Sequence, residues 1–172
     1  MAEGQILCAK VHTTYVLKFS GDIRYTICAP LSAFIKQLAL QSGYDDVLID
    51  LTDTVGIDST NLGLLARIAN LVQDRFHHKT TLVSTNSNVN RTLDTMGFYD
   101  VFNIDDKYDS TAAGGSALPP AAQQEQETAD AILQAHRTLS ELNDANREMF
   151  RSVVEALEKD PAAPQQGGPT LH

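Results

Sequence analysis

The chain has no tryptophan and only two cysteines, Cys8 and Cys28, among 172 residues. The two thiols stand far apart in no Cys-x-x-Cys or Cys/His spacing, so no zinc ligand set is expected and each reads as a small buried apolar residue. Long hydrophobic runs are absent as well: no apolar stretch approaches 18 residues, and no basic region followed by a hydrophobic core opens the chain. Neither a membrane span nor a signal peptide is expected, and the predicted location is cytoplasmic. Positive charge is scarce, with 13 Lys and Arg against 22 Asp and Glu and a formal charge of −9. That balance argues against direct nucleic-acid binding through a phosphate-tracking surface. The five histidines, His12, His77, His78, His136 and His172, form no ligand pattern beyond one adjacent pair. A glycine-x-serine-x-glycine elbow and a glycine-x4-glycine-lysine loop are both missing, so no enzymatic activity, cofactor or catalytic residue is expected. Asp50, Asp53 and Asp58 gather in sequence near one strand end, but carboxylates there are expected equally as loop and cap residues, and no metal site is expected.

What is present is most informative between Val47 and Arg67. Val47-Leu48-Ile49 followed by Asp50-Leu51 fits a central strand covered on both faces, and Thr52 to Ile57 reads as the loop after it. Asp58 is a favoured N-cap. Leu62, Leu65, Ile68, Ala69, Val72 and Phe76 recur at three- and four-residue steps, which predicts a helix from Ser59 to about Arg75. Ser59 and Thr60 then fall in its first turn, where unpaired N–H groups and the positive end of the helix dipole tolerate a phosphoryl group. An Asp-Ser-Thr tripeptide before an apolar run is also an ordinary capping sequence, and the residues alone leave both roles open.

The flanking sequence alternates strand and helix. Ile6 to Val11 and Tyr15 to Phe19 read as a hairpin of two strands, Ala29 to Gln41 as a helix with Pro30 in its first turn, and Gly43 as its end. A strand at Thr80 to Ser84 and a short helix from Asn88 to Met96, closed by Gly97, follow. The expected class is α/β: a sandwich of limited size, a small mixed sheet with crossover helices, carrying a C-terminal helical extension.

Four segments are expected: an α/β domain at 1–105, a flexible linker at 106–120, an amphipathic helical extension at 121–160 and a disordered tail at 161–172. The linker is marked by Thr111-Ala112-Ala113-Gly114-Gly115-Ser116 and the tail by Pro, Gln and Gly. The extension is rich in Ala, Glu, Gln, Leu and Arg; as one continuous helix it would reach roughly 58 Å. Ile132, Leu139, Asn146 and Val153 fall seven apart, with Ala135, Leu142, Met149 and Ala156 completing a heptad seam that has one polar position. Three outcomes stay open for it: docking back on its own domain, bending into a hairpin near Asn143-Asp144, or pairing between molecules. Charge is unevenly divided, −2 over residues 1–104 and −7 over 105–172.

Asp58-Ser59-Thr60-Asn61-Leu62-Gly63 after an Asp-Leu-Thr strand end resembles the turn of the STAS domain in bacterial anti-sigma factor antagonists. Ser20-Gly21-Asp22-Ile23 is similar to that family's glycine-acidic-aliphatic turn, and Leu93-Asp94-Thr95-Met96-Gly97-Phe98-Tyr99-Asp100-Val101-Phe102 to its leucine-x-x-x-glycine-aromatic segment. The resemblance spans about residues 4 to 105. It implies a STAS-like fold and a phosphoprotein that acts by partner switching, with Ser59, or secondarily Thr60, as the phosphorylated residue. The implied contact surface around it comprises Asp22, Arg24, Asp53, Asp58, Thr60, Asn61 and Leu62. Implied partners are an anti-sigma factor or serine kinase with a kinase-type ATPase domain, and a metal-dependent serine phosphatase. A non-switching STAS scaffold, or a ligand-binding or transport accessory module, is the alternative. Two departures stand out: Asn61 replaces the usual glycine, and Arg24 sits where many members carry an aspartate.

Overall fold

The computed structural model describes residues 3–107, 115–119 and 125–159. The expected tail at 161–172, residues 108–114 and 120 of the expected linker, and residues 121–124 and 160 of the extension lie outside the described residues.

Strand β1 (Gln5–Val11) turns at His12, whose φ is 56°, and pairs antiparallel with β2 (Thr14–Ile23). A 3-10 turn at Tyr25–Ile27 leads into α1 (Cys28–Leu40), then β3 (Asp46–Ile57), α2 (Ser59–Phe76), β4 (Thr80–Val83), α3 (Ser87–Thr95) and β5 (Phe102–Asp105). β3 lies parallel to β2 and β4, and β5 parallel to β4. A two-residue strand, β6 (Ser116–Ala117), closes the far edge antiparallel to β1, giving the order β5-β4-β3-β2-β1-β6. This is the expected mixed sheet with crossover helices.

The central pair departs from expectation in length. Thr52 to Ile57, expected as loop, continues β3, and Ser20 to Ile23, expected as a turn, continues β2. The two polar stretches pair with each other, Ser20 with Asp53, Gly21 with Thr54 and Ile23 with Ile57, across two register shifts. Gly21 adopts a φ of 83°, the left-handed conformation open to glycine, at the irregularity. Thr54 donates its hydroxyl to the Phe19 carbonyl at 2.9 Å, so its polarity is satisfied within the sheet. The strand β5, with polar Asn103 inside it, was not expected at all; its pairing comes from β4. In the expected linker, β6 forms because the β1 edge offers free backbone partners.

Phe19, Leu17, Ile49 and Leu51 fill the sheet side of the core against Leu31 and Leu38 of α1 and Leu62 and Leu65 of α2, all fully buried. Arg75, near the end of α2, donates to the carbonyls of Leu38 at 2.7 Å and Gln41 at 3.0 Å, and to the Tyr44 hydroxyl at 2.9 Å. It thereby satisfies the open C-terminal carbonyls of α1.

The extension forms two helices, α4 (Glu125–Ser140) and α5 (Asp144–Lys159), separated at 141–143, and not one continuous rod. Asn143 caps α5 by accepting the Asn146 N–H at 2.7 Å. Folding back buries Ala131, Ile132, Ala135 and Leu139 of α4 and Phe150 and Leu157 of α5, with α4 against α2. Asn146, the polar position of the seam, is fully buried and donates its side-chain amide to Met96 O at 2.9 Å and Leu139 O at 3.0 Å. One side chain thus ties α5, the end of α4 and the end of α3 together. The resulting unit is a hairpin docked on its own chain. Among the described residues no helix is long and apolar enough to cross a membrane.

Asn146→Ala takes its side-chain donor from the Met96 carbonyl and leaves the Leu139 carbonyl with the Leu142 N–H alone. It is expected to lower stability by about 1–3 kcal/mol in urea titrations, with α4 and α5 losing hydrogen-exchange protection before the sheet does.

Candidate functional site

The N-terminus of α2 is positioned by the last rung of the β2–β3 pairing. Asp58 N–H donates to the Ile23 carbonyl at 3.0 Å, and the chain then leaves the sheet into the helix. The Asp58 side chain caps that helix, accepting from the Asn61 backbone N–H at 3.0 Å and the Asn61 side-chain amide at 2.9 Å. Burial pushes the Asp58 carboxyl above the ordinary aspartate value, while the Asn61 and Tyr25 hydrogen bonds and the Arg24 charge oppose the rise. Asn61 supplies the cap with a side-chain donor that a glycine would lack. The cost is that its own Oδ1 is buried with no partner.

Ser59 is partly exposed and Thr60 is buried, so Ser59 presents the accessible hydroxyl of the pair. Its Oγ lies 2.9 Å from Nε2 of His136, a residue of α4 that is 0 % exposed. The other ring nitrogen, Nδ1, is 2.8 Å from the Ile132 carbonyl, which has only lone pairs to offer. Nδ1 therefore carries the proton, Nε2 is the acceptor, and Ser59 donates its O–H. Burial lowers the His136 pKa, opposed by the Ile132 carbonyl and by the nearby Asp58 charge, so the ring is held neutral. One turn further along α2, Gly63 faces the Ala135 backbone so closely that a Cβ there would overlap the Ala135 carbonyl. α4 is seated directly over the first turn of α2.

Serine, imidazole and a carbonyl holding the imidazole are the parts of a nucleophile relay. Their setting is wrong for one. The imidazole is enclosed, with the Phe150 ring edge-on at 5.7 Å, so it has no room to take up and pass on a proton at the surface.

The STAS domain family model matches residues 5–111, well over half of the chain. The chain belongs to the STAS domain family. No curated protein matches its sequence significantly. Among solved structures, it is similar to an anti-sigma factor antagonist from Mycobacterium paratuberculosis at 20% identity and a TM-score of 0.53, covering 62% of this chain and 89% of that one. It is also similar to the anti-sigma factor antagonist SpoIIAA in its unphosphorylated form, at 15% identity and a TM-score of 0.52, over 62% of this chain and 93% of that one. The phosphorylated form of the Bacillus cell fate determinant SpoIIAA gives 14% identity, a TM-score of 0.52, and coverage of 62% and 95%. At these identities the likeness speaks for the fold.

Within the STAS domain, the residues expected around Ser59 are only partly gathered. Asp22 and Arg24 stand beside it at the end of β2 and pair with each other at 2.8 Å, so the Arg24 charge is already engaged. Asp53 lies five residues back along β3, roughly 16 Å of extended strand from Asp58, and pairs with Lys18 at 3.0 Å. Asp50 accepts from the Thr52 N–H at 2.9 Å and its hydroxyl at 2.7 Å. The three aspartates are thus separately employed, each by its own strand or helix partner. Asn61 and Leu62 are fully buried, so they hold the turn in shape and offer no surface in this conformation. Cys28 is buried nearby, its thiol pushed up to about 11 by burial and then by the Asp58 charge; it is an inert apolar filler. Burial likewise raises the thiol of Cys8, which is only partly covered.

His136 was not expected at the site. No motif places it there, since it is 77 residues from Ser59 and is brought by the hairpin. The available signal was its place in the α4 seam beside Ala135, opposite a helix whose first turns carry a serine and a glycine.

The depressed His136 pKa means that the folded chain binds this proton less readily than the unfolded chain. Its contribution to stability is therefore complete above the ordinary histidine value, about 6.5, and is lost progressively as pH falls below it. In an NMR titration, His136 is expected to titrate below the ordinary histidine value of about 6.5, with α4 resonances broadening in the same acid window; a midpoint at or above that value would contradict the burial argument.

Proposed function

We propose that this STAS protein is an anti-sigma factor antagonist that works by partner switching, with Ser59 as the phosphorylated residue. The observation that carries the reading is a partly exposed serine at N1 of α2, directly after the Asp58 cap. The solved anti-sigma factor antagonists that share its fold support the general role. In this reading the unphosphorylated chain, in the cytoplasm, binds an anti-sigma factor or serine kinase with a kinase-type ATPase domain. That partner phosphorylates Ser59 with its own ATP, and a metal-dependent serine phosphatase resets the switch. The chain itself is a substrate and not a catalyst.

The physical logic is local. A phosphate adds about −1.5 to −2 charge at pH 7 and three strong acceptor oxygens. At N1 the helix dipole and free N–H groups accommodate it, so the sheet and α2 need not rearrange. A partner surface fitted to a neutral hydroxyl beside Asp58 meets a dense anion instead. Arg24 is held by Asp22, which limits how far it neutralises that anion. The competing reading, a non-switching scaffold or a ligand-binding or transport accessory module, draws on the Ser59–His136 hydrogen bond, which gives the hydroxyl an internal structural role.

Intact-mass and peptide mass spectrometry of the protein recovered from its host is expected to place phosphate on Ser59 and to lose it in Ser59→Ala. Ser59→Asp is expected to weaken binding to the kinase-type partner at least tenfold. An unmodified Ser59 across growth conditions, with partner binding indifferent to its substitution, would support the scaffold.

A further inference from the structure

The hairpin α4–α5 occupies the face of α2 that carries Ser59, and it does so through the serine itself. We propose that this hairpin is an intramolecular cover whose docking and phosphate on Ser59 are mutually exclusive. Docked, it shields the hydroxyl and the first turns of α2; a phosphoryl group on Ser59 expels it. The functional importance of the switch rests on the reading of Ser59 as a phosphosite, but the exclusion itself rests on the packing and charge around the hydroxyl.

Three contacts make the exclusion. The first is the hydrogen bond: His136 Nε2 stands 2.9 Å from Ser59 Oγ, in the space that phosphorus and its oxygens would occupy. The imidazole cannot swing away within the docked hairpin, since Nδ1 is held by Ile132 O at 2.8 Å and the ring abuts Phe150. The second is the backbone seat of Ala135 on Gly63, which leaves α4 no slack to ride outward by a side chain's width while staying docked. The third is electrostatic. His136 is buried neutral beside Asp58, so a phosphate arriving there adds a second anion to a partly buried carboxylate. Coupling of this kind is reciprocal: if phosphate disfavours docking, docking disfavours phosphorylation by the same factor in equilibrium terms.

A second anchor, Asn146 on the Met96 and Leu139 carbonyls, lies at the tip of the hairpin within about one helical turn of His136, since Leu139 is three residues further along α4. It holds the unit near the domain through α3 without touching Ser59. Expulsion therefore acts on a unit whose two polar fastenings sit side by side near its tip. Release of α4 uncovers Gly63, whose missing side chain lets the Ala135 backbone approach in the docked state.

The test uses the full chain with phosphoserine installed at position 59 during translation, read by hydrogen exchange with mass spectrometry. Peptides within 131–140 and 59–66 are expected to exchange about 5–150-fold faster than in the unmodified chain, the span usual for coupled sites, while β3 and β4 keep their protection. Ser59→Ala, which removes the hydroxyl without adding bulk, is expected to leave α4 protected. Gly63→Ala, which favours the helix intrinsically but wedges the seat, and Ala135→Glu, which alters only α4, are both expected to undock the hairpin with serine unmodified. A phosphoserine chain with α4 fully protected, His136 having turned to pair with the phosphate, overturns the proposal. So does loss of protection throughout the sheet, or undocking by Ser59→Ala equal to that by phosphoserine. Absence of phosphate on Ser59 in the host would instead defeat the functional reading and leave the measured exclusion standing.

Discussion

The parallel pairing of β2 with β3, carried to its last rung at Ile23 and Ile57, is the constraint from which the rest follows. It delivers Asp58 to the end of the central strand β3 with its N–H already satisfied, and the side chain is then free to cap α2. Had the pairing ended at Leu51, the six residues that follow would form an ordinary loop, and the start of α2 would be set by loop conformations. Instead a helix terminus is fixed by backbone hydrogen bonds on one side and by a buried carboxylate on the other. Ser59 inherits that rigidity, as does everything that packs on it.

The fold's alternation was legible because its signals are local. The cap at Asp58, the three- and four-residue apolar steps of α2, and the glycine after α3 each depend on residues within a turn or two of one another. Gly97 adopts a φ of 77°, as a helix-ending glycine does. The polar continuations of β2 and β3 were not legible, because Ser20, Asp22, Thr52 and Thr54 look like turn residues until a neighbouring strand supplies their partners. β5 and β6 are too short to carry a pattern; both are strands by virtue of the edge they join. Tertiary pairing overrides propensity at all four places.

The site divides the same way. Ser59, Asp58 and Asn61 are adjacent in sequence, and their arrangement follows from capping chemistry. The Asp22–Arg24 pair joins them through strand register, where a turn was expected. Asp53 is separated by the length of β3, a distance that loop reasoning hid. His136 reaches Ser59 only through the docking of the hairpin, and the heptad seam left its partner undetermined: the same stripe of Ile132, Ala135 and Leu139 serves another molecule or the parent domain equally well. What selects the parent is a steric detail, the missing side chain at Gly63, that no periodicity records.

The acidic character of the extension acquires a different meaning once its resting place is known. An acidic unit lies on a domain that is itself slightly acidic, and the ion pairs of the hairpin, Arg137–Glu158, Arg147–Asp144 and Arg151–Glu148, are all internal to it. Its adhesion comes from shape and apolar contact, working against a mild mutual repulsion. Dissolved salt screens repulsion and leaves apolar contact intact or strengthened. Rising salt therefore tightens this cover, where a lid fastened by opposite charges would loosen.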